Sequence, residues 1–224
     1  DRAIVTYKSL VMQPGAETGL AQKAKDNCQA LKAKKALYIP GYEIHPQPFP
    51  PAVNSTQHES LGRWTLDGNR MIFTRMTAGQ EDLFIASIDP EDTTWTIHDF
   101  PHNTQQNEGA HAISPNGKYL VFTSCNRPDG MGSCDLYISV FKNGIWNKPV
   151  NMGPGFNSPA WDGQPCFGVD GTTLYFSSSR EGTFGGRDIW YVQQMAPDSW
   201  SRPINAGPQI NTTDNEQSPF VHFD

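Results

Sequence analysis

The sequence contains no apolar run near the ~18 residues that a membrane-crossing helix requires, so no transmembrane helix is expected. Nor has it the basic excess that replaces phosphate counterions. Its 17 Lys and Arg stand against 23 Asp and Glu, a net charge of −6, which argues against a nucleic-acid partner. The one basic cluster, Lys32, Lys34 and Lys35, closes a helical stretch, where it complements the helix dipole. Catalytic signatures are missing as well. The six histidines, His45, His58, His98, His102, His111 and His222, form no HExxH and no helical i, i+4 pair, and no GxSxG occurs. Gly185-Gly186 lacks the Lys-Ser/Thr of a phosphate loop. No metal or cofactor is expected. Asp1-Arg2-Ala3 opens without a charged-then-apolar signal segment, so a signal is expected to have been removed or to lie outside these residues.

Cysteine is scarce, with Cys28, Cys125, Cys134 and Cys166 only, and without zinc-ligand spacing. Cys125 and Cys134 bracket the turn-rich CNRPDGMGSC between two strand-like runs. Facing positions of an antiparallel pair bring Cβ atoms within disulfide range, and such a bond implies an oxidising compartment. Reduced, packed thiols are the alternative.

Turn-formers are plentiful: 20 Gly and 18 Pro beside 11% aromatics point to many short strands. Residues 1–37 differ. Ile4, Tyr7, Leu10 and Val11, then Leu20, Ala24, Cys28 and Leu31, fall at helical spacing on either side of Pro14-Gly15, which predicts an α-helical hairpin. Residues 38–53 are too Pro-rich for a central strand and read as a linker.

From residue 54 the sequence repeats. Four segments, Glu59–Asp67, Glu108–Asn116, Asp162–Asp170 and Glu216–Asp224, begin with an acid and end on Asp or Asn, at steps of 49, 54 and 54 residues. In the first three a Gly follows, then an apolar run: RMIFTR, YLVFTS, LYFSSS. Asp-Gly or Asn-Gly before such a run signals a hairpin. Next comes an Asp that opens another strand (Asp82, Asp135, Asp188), then a Trp (Trp95, Trp146, Trp200), which predicts inter-blade packing. One repeat therefore carries about four short antiparallel strands, the content of a propeller blade. The expected blades are 54–106, 107–160 and 161–214, with the start of a fourth at 215–224. Three blades and one strand do not close a ring, so the chain is expected to be part of a longer protein.

NEGAHAISPNGKYLVFTSCNRPDGMGSCDLYIS, and QPCFGVDGTTLYFSSSREGTFGGRDIWYV with WSRPINAGPQINTTDNEQSPF, resemble TolB-type, WD-repeat-like propeller blades. The resemblance covers residues 54–224, about three quarters of the chain. More narrowly, the chain resembles the propeller region of Bacteroidota proteins that place tetratricopeptide repeats before the propeller and an OmpA-like peptidoglycan-binding domain after it. Some of those are lipoproteins of the type IX secretion apparatus. The resemblance implies a periplasmic, outer-membrane-associated scaffold, lipid-anchored or at the cell surface. Its partners would be other subunits of an envelope complex, with any peptidoglycan link made by a domain not in this chain.

At the residue level, Arg75 with Asp82, Arg127 with Asp135 and Arg180 with Asp188 flank the hairpin tips, which predicts cross-strand ion pairs. The repeating acids are expected to satisfy hydroxyl or backbone donors, with a channel cation as the alternative. No residue is expected to be catalytic, since a catalytic carboxylate would occur in one special blade. Candidate binding residues are Trp161, off the Trp register in an inter-blade loop, and His58 and His111, beside repeat acids. The expected function is a non-catalytic binding scaffold. The alternatives are a glycan-active hydrolase, lyase or carbohydrate-binding propeller, and the regulatory propeller of a serine peptidase.

Overall fold

Each Asp-Gly or Asn-Gly pair closes a hairpin, with Gly68, Gly117 and Gly171 at φ of 70°, 69° and 69°, a region closed to most side chains. The computed structural model describes residues 45–196 and 199–222. The expected helical hairpin over 1–37 lies outside the described residues, which hold strands, turns and irregular segments.

The first blade is an antiparallel meander of β1 (His58–Trp64), β2 (Arg70–Thr77), β3 (Gln80–Ile88) and β4 (Trp95–Asp99). The second runs through β5 (Glu108–Ile113), β6 (Tyr119–Cys125) and β7 (Cys134–Lys142) to β8 (Ile145–Trp146) and β9 (Val150–Asn151). The third repeats it with β10 (Asp162–Phe167), β11 (Thr173–Ser178), β12 (Asp188–Ala196), β13 (Ser199–Trp200) and β14 (Ile204–Asn205). In the last two blades the fourth strand is split. Both β8 and β9 pair with β7, and both β13 and β14 pair with β12. Pro149 and Pro203 stand between the halves, and a residue without an N–H cannot continue a ladder. This is the blade architecture of a β-propeller-type fold.

Apolar residues join the blades in order. Ile72, Leu83 and Phe100 of the first blade pack with Leu120, Phe122, Tyr137 and Trp146 of the second. Val121, Leu136 and Phe156 pack in turn with Leu174, Phe176, Trp190 and Val192 of the third. The end of the segment expected to be a linker, residues 48–53, belongs to the propeller unit, which begins at Pro48. Val53 is buried against Met71 and Phe73, because its apolar side chain covers the outer face of the first blade. Cys125 and Cys134 are directly opposed across β6 and β7 and form the expected disulfide.

The arginines correct the sequence-based expectation. The cross-strand pairs Arg75–Asp82, Arg127–Asp135 and Arg180–Asp188 do not form, although Arg75 and Asp82 are register partners. Each Arg binds instead the acid that opens its own repeat: Arg75 to Glu59 (2.8 Å), Arg127 to Glu108 (2.9 Å), Arg180 to Asp162 (2.6 Å). The guanidinium lies over two rings: Phe73 and Phe84, Phe122 and Tyr137, Phe176 and Trp190. The hairpin Asp is already committed elsewhere. Asp135 accepts from the Met131 and Gly132 N–H groups, and Asp188 from those of Phe184 and Gly185. Among the described residues, Asp82 has only the Gln80 amide. Burial raises its pKa, that amide opposes the rise, and the nearby Glu108 and Asp99 add to it.

The repeat acids also accept from a hydroxyl residue four positions earlier. Thr104 donates its N–H (2.9 Å) and hydroxyl (2.7 Å) to Glu108, and Ser158 (2.6 and 2.7 Å) serves Asp162 likewise. Thr212 does so for Glu216, and the Ser55 hydroxyl for Glu59. At Glu59 burial works to raise the pKa, but the bonds from Ser55 and Arg75 outweigh it and hold the carboxyl low. The residue just before each later hydroxyl is Asn, and it clamps the preceding blade. Asn103, Asn157 and Asn211 each bind both the N–H and the C=O of Leu83, Leu136 and Ile189.

Two outcomes are expected from urea unfolding. Arg127→Met leaves Glu108, 0% exposed, uncompensated and costs about 3–5 kcal/mol. Asp67→Asn, which removes the exposed Asp67–Arg70 pair, costs under ~1 kcal/mol; equal costs would deny the buried pair its structural weight. At Gly132 a Cβ would lie 1.8 Å from the Ala160 carbonyl oxygen, whereas at Gly155 it meets open space. Gly132→Ala should therefore destabilise by about 1–3 kcal/mol while Gly155→Ala is near neutral.

Candidate binding site at the inner strands

Two residues after each repeat acid the chain turns into the left-handed region. Leu61, Ala110, Gln164 and Ser218 have φ of 58°, 35°, 55° and 53°. None is Gly or Asn, so each position carries strain of order 1 kcal/mol. The ladder slips at the same place, between Ser60 and Arg63, Gly109 and His111, and Gly163 and Cys166. Such bulges release backbone groups from the ladder and re-aim side chains. All four left-handed residues line one cavity of about 40 Å³.

The cavity is polar on several sides. Gln164 accepts from the Ser218 N–H through Oε1 (2.8 Å) and donates its own N–H to Thr123 Oγ1 (2.9 Å). His111, 2% exposed, sets Nε2 at 3.0 Å from the Ile72 carbonyl. A carbonyl only accepts, so Nε2 carries the proton and Nδ1 is left as an acceptor. Nδ1 is buried with no partner among the described residues. Burial pulls the His111 pKa down to about 4, the bond to Ile72 opposes this, and the Arg63 charge adds to the depression. Arg63 lines the same cavity and lies over Phe220 at 5.7 Å. Among the described residues it has no carboxylate partner, unlike Arg70, Arg75, Arg127 and Arg180.

Of the three binding residues expected from the sequence, only His111 reaches this cavity. His58 is exposed at the start of β1, opposite Met76. Trp161 is half-buried, and the Arg187 guanidinium covers its ring at 3.9 Å. Its backbone N–H donates to Ser179 Oγ, and it bridges Cys134 in parallel. The Trp register packs between blades as expected in the later repeats. Trp146 is buried with Ile72, Leu83 and Phe100 of the first blade, besides lying tilted against Phe141 of its own. Trp200 meets Phe156 of the second blade edge-on. In the first blade Trp95 joins Phe49 and Trp64 at 5.6 and 5.8 Å. Phe49 and Trp64 are 40% and 46% exposed. A groove of about 460 Å³ also runs between the hairpin turns of the first two blades, lined by Leu66, Arg70, Lys118, Phe141 and Trp146.

Arg63, Gln164 and Ser218 were not foreseen. A signal for Arg63 is nevertheless present: four residues after the other repeat acids stand Ala112, Cys166 and Phe220, so Arg63 breaks an apolar register. For the left-handed positions no signal exists, because Leu, Ala, Gln and Ser share no turn chemistry.

A buried His held neutral makes folding sensitive to acid. Its folded pKa lies below the ordinary 6.5, so the unfolded chain takes up the proton first. The stability is fully present above pH 6.5 and is lost as pH falls towards 4, by about 3 kcal/mol in all. His111→Gln, which keeps a donor for Ile72, should remove that increment from the urea stability profile. Identical pH slopes for the two proteins would contradict it.

No family model matches the sequence, and no curated protein matches it. Among solved structures, the chain is similar to a puromycin-hydrolyzing peptidase from Mycobacterium tuberculosis, at 17% identity and TM-score 0.48, over 73% of this chain and 26% of that one. It is similar also to a protein from Agrobacterium tumefaciens described as a TolB, at 21% identity and TM-score 0.42, over 62% and 43%. A third is the β-propeller domain of the Trilobed protease from Pyrococcus furiosus, at 11% identity and TM-score 0.39, over 67% and 43%. The chain spans less than half the length of each, and likenesses this distant carry none of those proteins' properties to it.

Proposed function

We propose that the chain is a binding propeller without catalytic activity, serving as a scaffold in the periplasm in association with the outer membrane. The observation that carries this reading is how the recurring charged residues are used. Glu59, Glu108 and Asp162 are each committed to an Arg and a hydroxyl. Such use builds a rigid frame whose loops and inner strands are free to recognise other molecules. The Cys125–Cys134 disulfide supports an oxidising compartment. The sequence resemblance supports a place beside outer-membrane secretion components of the type IX kind, as a lipoprotein or surface protein, with any cell-wall attachment made by a separate OmpA-like domain. Partners in this reading are protein subunits of an envelope complex.

One observation favours a second reading, carbohydrate binding. Phe49, Trp64 and Trp95 form a contiguous, partly exposed ring cluster, and sugars stack on such faces.

The test is cross-linking in intact cells, followed by mass spectrometry of the full-length protein and its adducts. Adducts with outer-membrane and secretion proteins, with Cys125 and Cys134 oxidised, are expected. Adducts confined to cytoplasmic proteins, with both thiols free, would overturn the scaffold reading. Retention on peptidoglycan or glycan beads that is lost in Trp64→Ala would favour the second.

A further inference from the structure

The inner-strand cavity differs from everything else in the repeat. Most of the described polar side chains of the blade frame recur from blade to blade. His102 and Ser139, which do not, are each satisfied by a backbone carbonyl, of Trp146 and Asn147. Arg63 and His111 also occur once each, but with bonding capacity unused. Arg63 replaces the apolar residues found at that register (Ala112, Cys166, Phe220), and His111 stands where the other repeats carry Gly62, Pro165 and Pro219. Two non-repeating polar groups thus meet at the place where the four left-handed residues converge. A repeat maintained for packing has no use for a cation without a carboxylate beside a buried acceptor without a donor.

Their chemistry specifies a complement. Arg63 presents N–H donors and a positive charge, so it selects an anion, and a planar carboxylate fits its fork. His111 Nδ1 is a neutral acceptor, so it selects an N–H or O–H. A cavity of about 40 Å³ holds roughly two or three water-sized groups, enough for the two carboxylate oxygens and the donor atom, with the rest of the ligand outside it. A free amino acid fits poorly, because its ammonium would face the Arg63 charge.

We propose that this cavity binds a carboxylate with a neutral hydrogen-bond donor on the adjacent carbon, Arg63 holding the carboxylate and His111 Nδ1 accepting from the donor. Two sources share that chemistry: the carboxyl terminus of a polypeptide, whose last amide supplies the N–H, and a free α-hydroxy acid. Ser218, whose backbone N–H is tied to Gln164, and Gln164 form the wall that sets the distance between the two subsites. The inference deepens the binding reading and rests on it. Its failure would leave the cross-linking outcome untouched, so the two can be told apart.

The experiment titrates the full-length protein with four probes while following the His111 ring and Arg63 side-chain NMR signals. N-acetyl-L-alanine stands in for a chain terminus and L-lactate for a hydroxy acid. N-acetyl-L-alanine amide lacks the carboxylate, and propionate lacks the donor. Saturable shifts of both residues are expected with at least one of the first two, and none of comparable affinity with the controls. Response to N-acetyl-L-alanine alone identifies a chain terminus as the source, and response to lactate alone a free acid. Arg63→Gln should weaken binding about tenfold or more while leaving the backbone spectrum intact. Because Arg63 is only half-buried, this variant keeps the test valid even if His111→Gln fails to fold. If neither acid moves His111, or if propionate and the amide bind as well as their parents, the proposal is wrong and His111 is a structural residue served by water.

Discussion

The fold depends on one arrangement, an arginine wedged between two aromatic rings and a carboxylate withdrawn from water. Burying either charge alone would be prohibitive. Burying both works here because the carboxylate also receives an N–H and a hydroxyl from the incoming loop, as Thr104 supplies to Glu108. The loop residue just before reaches the other way, since Asn103 fills the backbone bonds of Leu83 in the preceding blade. One stretch of six residues therefore sets the end of one blade and the beginning of the next. The apolar contacts between Phe100 and Phe122 supply the bulk attraction, while the polar stretch fixes the register at which those rings meet.

Much of this frame is legible from the period alone. The hairpin glycines and the packing of Trp146 and Trp200 follow from local rules applied once per repeat, and the disulfide, present in one blade only, follows from the facing positions of its two strands. The arginine partners do not. Arg75 and Asp82 are true register neighbours, so the rule for cross-strand pairs applies, yet backbone amides at the hairpin tips capture the equivalent Asp135 and Asp188 first. Competition between a side chain and nearby N–H groups depends on tip geometry, which the alternation of residues does not encode. The Asn and hydroxyl ahead of each acid were visible, at Asn103-Thr104, Asn157-Ser158 and Asn211-Thr212. They lie outside the nine-residue alignment that first exposes the repeat.

The inner strands teach the opposite lesson. There the informative residues are those that break the period, Arg63 and His111, whereas Trp161, which looked anomalous, is absorbed by Arg187. A departure from a repeat has functional meaning only when the neighbouring structure leaves its bonding capacity unused. Backbone strain at Leu61, Ala110, Gln164 and Ser218 left no trace in residue type, because it is imposed by the bulge and not chosen by the side chain.

The split fourth strand constrains how other proteins can approach. A partner that adds its own strand to a sheet needs an uninterrupted row of free N–H and C=O groups along an edge. The outer rims of the last two blades offer two-residue fragments instead, β8 with β9 and β13 with β14, parted by Pro149 and Pro203. Neither rim can template a neighbour for more than one rung. Along these two rims copies can be crowded side by side without zipping into a continuous sheet, and recognition there is left to side chains; the first blade, with its unbroken β4 (Trp95–Asp99), has no such interruption.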